Sequence, residues 1–283
     1  MGHHSFSRFV LLVITAVVQL LLLSTHVRAQ YDYSTLAASS DSNAGAYSYS
    51  GAAIATSGTV VAIGAPQADI HGVTTDTSIY GTGFVLLYNC PLTSGQYVCG
   101  TPSYYDDSAY SGSSDSLYGF SVALINNGQI LIVGAPDYSG SHGEGVVFFY
   151  NCPAITSCAL AYDVGDYVMG VSLAAAMTST TVFYAVLGNG DVNAAFIVQC
   201  STSSAFTTTS SWSCGITDFV PSNTVADFGT FVAMNTNLVV VADIGSSSVT
   251  PAAYVYPIAT AYGCSGTCTQ ASTITASIAY DST

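Results

Sequence analysis

The chain has 283 residues, of which 50% are hydrophobic and 6% are charged, and two basic residues stand against 16 acidic ones. The formal net charge of −14 excludes a nucleic-acid partner, because phosphate backbones are bound through lysine and arginine, and the same lack argues against anionic membrane surfaces. So little charge among many β-branched and aromatic residues favours a folded, sheet-rich protein over a disordered chain.

The first 29 residues have the three parts of a secretory signal peptide. Arg8 precedes an apolar core at Phe9–Leu23, and Val27-Arg28-Ala29 is a small-x-small cleavage site. This core is shorter than the ~20 residues that cross a bilayer, which argues against the alternative of an uncleaved membrane anchor. We therefore predict a secreted protein, residues 30–283, with no stable membrane span after cleavage. Its formal charge would be −16, since Arg8 and Arg28 are the two basic residues of the chain.

A sequence pattern then recurs four times. Each copy has a glycine, an apolar run, a turn and a second apolar run that ends in glycine or alanine. The pairs of anchor residues are Gly51 and Gly64, Gly119 and Gly134, Gly170 and Ala185, and Gly229 and Ala242. Their separations of 13, 15, 15 and 13 residues are regular enough to predict a tandem-repeat protein.

Each copy is predicted to form four short antiparallel strands. In the second copy, Phe120–Ile125 and Gln129–Val133 flank Asn126-Asn127-Gly128, a turn sequence that prefers positive φ, so the two segments form a tight hairpin. A third strand at Val146–Tyr150 and a fourth at Ala159–Asp163 complete the unit. Such units are typical of β-propeller blades, so we predict an all-β propeller. The predicted blades cover approximately residues 45–110, 111–163, 164–220 and 221–283.

The blade count leaves two alternatives open. A four-bladed ring is physically allowed, because propellers have four to eight blades. The other alternative is a partial propeller whose remaining blades lie beyond Thr283.

Eight cysteines occur as two per repeat. An even number behind a signal peptide indicates an oxidising compartment and disulfides. The spacing does not fix the connectivity, but two per repeat favours pairing within each repeat. Free thiols or a metal site are the alternative, which the irregular spacing and the lack of accompanying histidines disfavour. The expected pairs are Cys90 with Cys99, Cys152 with Cys158, Cys200 with Cys214, and Cys264 with Cys268.

The repeat resembles the FG-GAP repeat of integrin α-subunit propellers and of many secreted microbial proteins. Phe228-Gly229 is a literal FG, and Gly64-Ala65-Pro66 and Gly134-Ala135-Pro136 are literal GAPs. In the third and fourth units, Ala185-Val186-Leu187 and Ala242-Asp243-Ile244 stand in place of GAP. Integrin-type units usually have an aspartate-rich calcium loop just before GAP, but here short turns without carboxylates replace it. The chain is thus similar to the calcium-free variety, and no metal or cofactor is predicted.

The loops after GAP contain the polar residues of a candidate ligand-binding face. Propeller loops converge on one face, where a ligand would bind. Histidine and carboxylate also suit transition metals, but their spacing here matches no known ligand motif. The candidates are Asp69, His71 and Asp76 in the first unit, and Asp137, His142 and Glu144 in the second.

We expect a non-enzymatic binding module for adhesion to, or recognition of, an extracellular protein or glycan. No catalytic residues are predicted, because the chain has no Gly-x-Ser-x-Gly elbow, nucleotide loop or His-Glu-x-x-His motif. One alternative is a structural coat or matrix protein, which the low charge content suits. The other is a propeller hydrolase or lyase, in which Asp69, Asp137 and Glu144 would share a pocket. The ligand and the oligomeric state are not given by the sequence.

Overall fold

The computed structural model divides the chain into two compact units, Met1–Ser42 and Asn43–Thr283. The described residues lie in the second unit. The predicted signal peptide at residues 1–29 lies outside them. The described residues are 50–68, 82–106, 116–140, 143–165, 169–189, 194–203, 206, 211–221, 228–243, 251–264 and 266–275.

The described residues form an all-β fold, as the sequence predicts. Their helical content is one 3-10 turn at Asn126–Gly128 and one short helix, α1 (Ile258–Gly263). Four larger sheets follow one another along the chain, and each has a core of four strands that meander antiparallel.

The strands of the four sheets alternate with turns and loops. Sheet 1 contains β1 (Ala53–Ser57), β2 (Val60–Ala65), β3 (Phe84–Asn89) and β6 (Ser103–Tyr105), while β4 (Leu92–Thr93) and β5 (Gln96–Tyr97) form a separate small hairpin. Sheet 2 contains β7 (Ser121–Ile125), β8 (Ile130–Gly140), β9 (Gly143–Asn151) and β10 (Ala159–Gly165). Sheet 3 contains β11 (Ser172–Ser179), β12 (Val182–Asn189), β13 (Ala194–Ser201), β14 (Ser213–Pro221) and β18 (Gly266–Cys268). Sheet 4 contains β15 (Phe228–Met234), β16 (Leu238–Asp243), β17 (Ala252–Pro257) and β19 (Ser272–Thr275).

The hairpin predicted in the second repeat is confirmed. Ile125 pairs with Ile130 across the turn. Asn126, Asn127 and Gly128 have φ values of 52°, 54° and 85°. Asparagine and glycine tolerate this left-handed region best, which explains why a turn this tight can connect the two strands.

Apolar layers lie between successive sheets. Because side chains alternate along a strand, Val122 and Leu124 of β7 pack toward sheet 1, whereas Ala123 packs toward sheet 3. A third layer between sheets 3 and 4 includes Phe219 and Tyr256. Sheet 2 is thus covered on both faces, which accounts for the unbroken apolar run at the start of β8.

The packing order is sheet 1, sheet 2, sheet 3 and sheet 4. Among the described strands, those of sheet 1 make no extensive contact with those of sheet 4. A closed ring is therefore not shown. One strand also leaves the simple repeat, because β18 pairs in parallel with β14 of sheet 3, although its residues fall in the range predicted for the fourth blade.

The register corrects one anchor residue of the repeat. Gly64 pairs with Ala53 in sheet 1, and Gly134 pairs with Ser121 in sheet 2, in each case two residues after the first glycine. In sheet 3 the equivalent residue, Ser172, pairs with Gly188, so the anchor is Gly188 and the prediction of Ala185 is wrong. The hairpin of β11 and β12 is longer and contains a bulge, which moves the glycine further along the chain.

Candidate functional surfaces

The first glycine of every repeat has a backbone that favours glycine. Gly51, Gly119, Gly170 and Gly229 have φ values of 92°, 88°, 87° and 104°. A side chain at positive φ is strained, so glycine is the residue best suited to this position. The regular recurrence seen in the sequence therefore has a backbone cause.

The second glycine allows neighbouring sheets to approach closely. A Cβ added to it would lie closer than 3.0 Å to the carbonyl oxygen of the first glycine in the next sheet, a separation that real Cβ atoms do not adopt. We call each such contact a glycine junction. The three junctions are Gly64 with Gly119, Gly134 with Gly170, and Gly188 with Gly229.

Small residues beside the junctions add polar contacts between sheets. The Ser121 hydroxyl donates a hydrogen bond to the Gly170 carbonyl. The Val232 amide donates to the Ser172 hydroxyl at 3.1 Å. Both serines lie two residues after the first glycine of their own sheet, so the position next to each junction also requires a small side chain.

The two ends of the sheets differ in character. In a four-strand meander, the first turn and the third turn lie at one end, and the second connection lies at the other. The Cys90 amide accordingly donates to the Thr59 carbonyl in the first turn of sheet 1, and the Cys152 amide donates to the Gln129 carbonyl in sheet 2. The disulfides of sheets 1 and 2 are thus at the end of the sheets where the first turns lie, opposite the second connections.

Two of the six candidate ligand-binding residues, Asp137 and Glu144, lie in described strands, on either side of the second connection of sheet 2. Asp69, His71, Asp76 and His142 lie outside the described residues. Asp137 is exposed on β8, and the Glu144 backbone on β9 pairs with Ser139, while the Glu144 side chain lies outside the described part. In the second unit the segment predicted as a loop is therefore largely an extension of the hairpin of β8 and β9. Whether the six side chains share a site stays a prediction.

A metal site does not appear in the part of the chain that the structure describes. None of its His, Cys, Asp and Glu residues form a group of three or more that is suited to hold a metal ion.

All four predicted disulfides are confirmed. The first two join the end of a third strand to the segment that leads into the fourth. Cys200 and Cys214 face each other on the paired strands β13 and β14, and Cys264, just after α1, is bonded to Cys268 at the end of β18. Such bonds persist in oxidising compartments, which supports an extracellular environment. The pairs are Cys90–Cys99, Cys152–Cys158, Cys200–Cys214 and Cys264–Cys268.

A tyrosine connects sheet 1 to the disulfide loop of sheet 2. The Tyr105 hydroxyl donates to the Ile155 carbonyl at 2.7 Å and accepts from the Cys158 amide at 3.1 Å. Burial raises the pKa of Tyr105, although the hydrogen bond from Cys158 opposes the shift. Tyr105 therefore fills and bridges the space between sheets.

The disulfide loop of sheet 1 is an exposed hairpin that sequence reasoning missed. We call Cys90–Cys99 the disulfide finger. Its strands β4 and β5 pair Leu92 with Tyr97, and the turn residues Ser94 and Gly95 have φ values of 53° and 82°. Two positive φ values in a two-residue turn are typical of a type I′ hairpin. The signal in the sequence was Ser-Gly midway between two cysteines.

The disulfide finger presents apolar side chains to solvent. Leu92, Tyr97 and Val98 are 60%, 53% and 54% exposed. The base is held by the disulfide and by the Val98 amide, which donates to the Pro91 carbonyl at 3.1 Å. Residues 91–98 contain no charged side chain. The finger is therefore an ordered, uncharged and partly apolar projection.

No protein-family model matches the chain, and no curated protein shows significant similarity to it. Within the described ranges, no helix has the length and apolar character required to cross a membrane.

Proposed function

We propose that the chain is a secreted or cell-surface binding module, built from calcium-free FG-GAP-type propeller blades, that recognises an extracellular ligand without chemical conversion. The repeated four-strand meanders and the glycine junctions support the blade assignment. The four disulfides support the extracellular location.

The single observation that carries the binding function is the disulfide finger. Large apolar side chains on an ordered hairpin are unfavourable in water unless a partner covers them. An element that is already ordered also loses less conformational entropy on binding. Tyrosine is among the residues enriched in protein interfaces.

The composition of the finger favours a protein partner over a glycan. Leu92 and Val98 are aliphatic and suit an apolar pocket. A glycan needs hydrogen-bonding groups beside an aromatic ring. In β5 the ring of Tyr97 has one amide side chain, Gln96, next to it in the sequence.

Two alternative functions stay open for separate reasons. A structural coat protein is supported by the absence of lysine and arginine after residue 29. A hydrolase would need Asp69, Asp137 and Glu144 within reach of one substrate bond. The structure describes the side chain of Asp137 but not those of Asp69 and Glu144, so the distances among the three stay untested.

Binding of the full secreted chain to a glycan array and to a panel of immobilised extracellular-matrix proteins tests the proposal. The variant L92S/Y97S keeps the disulfide and the turn but removes two of the three large exposed apolar side chains of the finger, leaving Val98. We expect at least about a tenfold loss of binding, because each buried apolar side chain contributes roughly 1.5–3 kcal/mol.

The matched control is Ile216→Ser, which alters an equally apolar side chain that is 39% exposed on β14, outside the finger. It should bind as the wild type does. Absence of any binding partner would overturn the binding function. Equal binding by L92S/Y97S would show that the finger is not the binding element.

A further inference from the structure

The side of sheet 4 that points away from sheet 3 is apolar and exposed. Val239, Val241 and Tyr254 belong to the layer against sheet 3, and side chains alternate along a strand. Phe231 and Ile274 point to the opposite side and are 61% and 58% exposed. Within the described ranges, no other sheet packs extensively on this side. We call it the outer face of sheet 4.

The strands of sheet 4 have the pattern of a sheet that is covered on both sides. An antiparallel sheet with one side in water usually alternates apolar and polar residues. In β16, however, residues 238–242 are an unbroken apolar run, as residues 130–133 are in β8 of the doubly covered sheet 2. The charged residue of these strands, Asp243, is buried and lies two residues after Val241, on the side of sheet 3. The outer face thus has no charged side chain on its strands.

The outer face has large side chains at its edges and small ones between them. The register aligns one residue of each strand in a row across the sheet, namely Phe231, Ala242, Ala253 and Ile274. The two alanines therefore form a recess. A partner that fills the recess needs a projecting apolar side chain on a flat surface.

A second copy of the chain meets this requirement. Two sheets can pack face to face about 10 Å apart, and a two-fold axis brings the same face of two copies together. When the second sheet is displaced by one strand spacing, about 4.8 Å, Phe231 of each copy lies over Ala253 of the other. A large side chain then meets a small one in both directions.

The charge of the chain also favours a contact through this face. Without Arg8 and Arg28 the formal net charge changes from −14 to −16, so two copies repel each other wherever their acidic side chains approach. The outer face of sheet 4 brings no such side chain into the contact. A basic partner would instead bury its charge there without a carboxylate from these strands, which costs free energy.

We propose that the outer face of sheet 4 is a dimerisation surface, on which two copies of the chain pack about a two-fold axis. Four strands of about six residues give a footprint of about 400 Å², roughly half of the area that each partner contributes to a standard interface. The dimer is therefore weak and reversible. It goes beyond ligand binding by the disulfide finger, because it gives one particle two fingers and so raises the avidity for a ligand array.

Sedimentation of the full secreted chain over a wide range of concentration tests the proposal. The weight-average mass should rise toward twice the monomer mass and no further, because a two-fold contact closes. Phe231→Asp changes both halves of the contact and should raise the dissociation constant at least about a hundredfold. Circular dichroism verifies folding, and Ile274→Asp serves if the first variant does not fold.

Ile54→Asp is the matched control, because it adds the same charge at an apolar residue that is 56% exposed on sheet 1. It should dimerise as the wild type does. The finger variant L92S/Y97S should also dimerise although it loses ligand binding, so failure of the dimer and failure of the binding function are distinguishable.

Two further measurements separate a shaped contact from general stickiness. Ala253→Phe enlarges the apolar surface but fills the recess, so it should weaken the dimer at least about tenfold. Raising the salt from about 0.01 M to about 0.15 M should strengthen the wild-type dimer, because the Debye length falls from about 30 to about 8 Å and the repulsion between copies is screened.

Three results would overturn the proposal. One is wild-type protein that stays monomeric up to about 1 mM, which would leave the face to another segment of the chain or to a different protein. The second is a dimer that Ile54→Asp or L92S/Y97S weakens as much as Phe231→Asp does. The third is a dimer that Ala253→Phe strengthens.

Discussion

Glycine at the junctions is required by distance as well as by φ. The second glycines face a backbone carbonyl, which cannot move aside as the end of a flexible side chain can. A methyl group there would therefore displace the neighbouring sheet, and this displacement determines how much folding stability is lost. The sequence showed that glycine recurs, but only the strand register identified Gly188 as the junction residue of sheet 3.

Gly188→Ala is expected to destabilise the protein by about 2 kcal/mol, because the added Cβ would overlap the Gly229 carbonyl. Guanidinium unfolding under non-reducing conditions measures the effect. The matched control is Gly100→Ala, whose Cβ would meet nothing nearer than the Asn89 carbonyl at 3.8 Å. The control should change stability by less than about 0.5 kcal/mol. Equal effects at the two positions would contradict the steric account of the junction.

Hairpins and disulfides were predictable because both are local in sequence. The turn at Asn126–Gly128 follows from residues that tolerate positive φ, and each cysteine pair lies within one repeat. Features that depend on contacts far apart in sequence were missed. The parallel pairing of β18 with β14 depends on a neighbour that no local pattern specifies.

Removal of the Cys200–Cys214 disulfide should cost more than removal of Cys264–Cys268. The two bonds span 14 and 4 residues, and the chain-entropy model then gives about 3 and about 2 kcal/mol. Each bond has one fully buried cysteine, Cys200 and Cys268, so C200A/C214A and C264A/C268A are matched in burial. Chemical unfolding of the two double variants measures the difference. A larger loss from C264A/C268A would contradict the entropic explanation.

At the scale of the whole molecule, alkaline stability depends on tyrosine alone. After residue 29 the chain has no lysine or arginine, and all eight cysteines are in disulfides. Burial raises the tyrosine pKa above the ordinary value of 10.0 at Tyr88, Tyr105, Tyr162, Tyr184, Tyr254 and Tyr256. The Tyr256 hydroxyl is buried without a hydrogen-bond partner in the protein.

A raised pKa in the folded state means that folding favours the protonated phenol. The stabilising contribution is complete below pH 10 and is lost as the pH rises above it. We therefore expect unfolding above pH 10 in which tyrosinate absorbance and loss of the circular dichroism signal rise together. In guanidinium the same tyrosines should titrate near their ordinary pKa of about 10. Full tyrosine ionisation with an intact fold would contradict this expectation.

The four disulfides close loops of only 9, 6, 14 and 4 residues, so the fully extended chain is almost as long with them as without them. Cys264–Cys268 joins the segment after α1 to β18 of sheet 3 but closes only 4 residues, so a pull on the two ends is resisted between sheets by non-covalent packing and by the pairing of β18 with β14. The sheets can therefore separate and extend one after another without breaking a bond. In an extracellular layer, this would make the protein a tether that yields in steps and recoils intact.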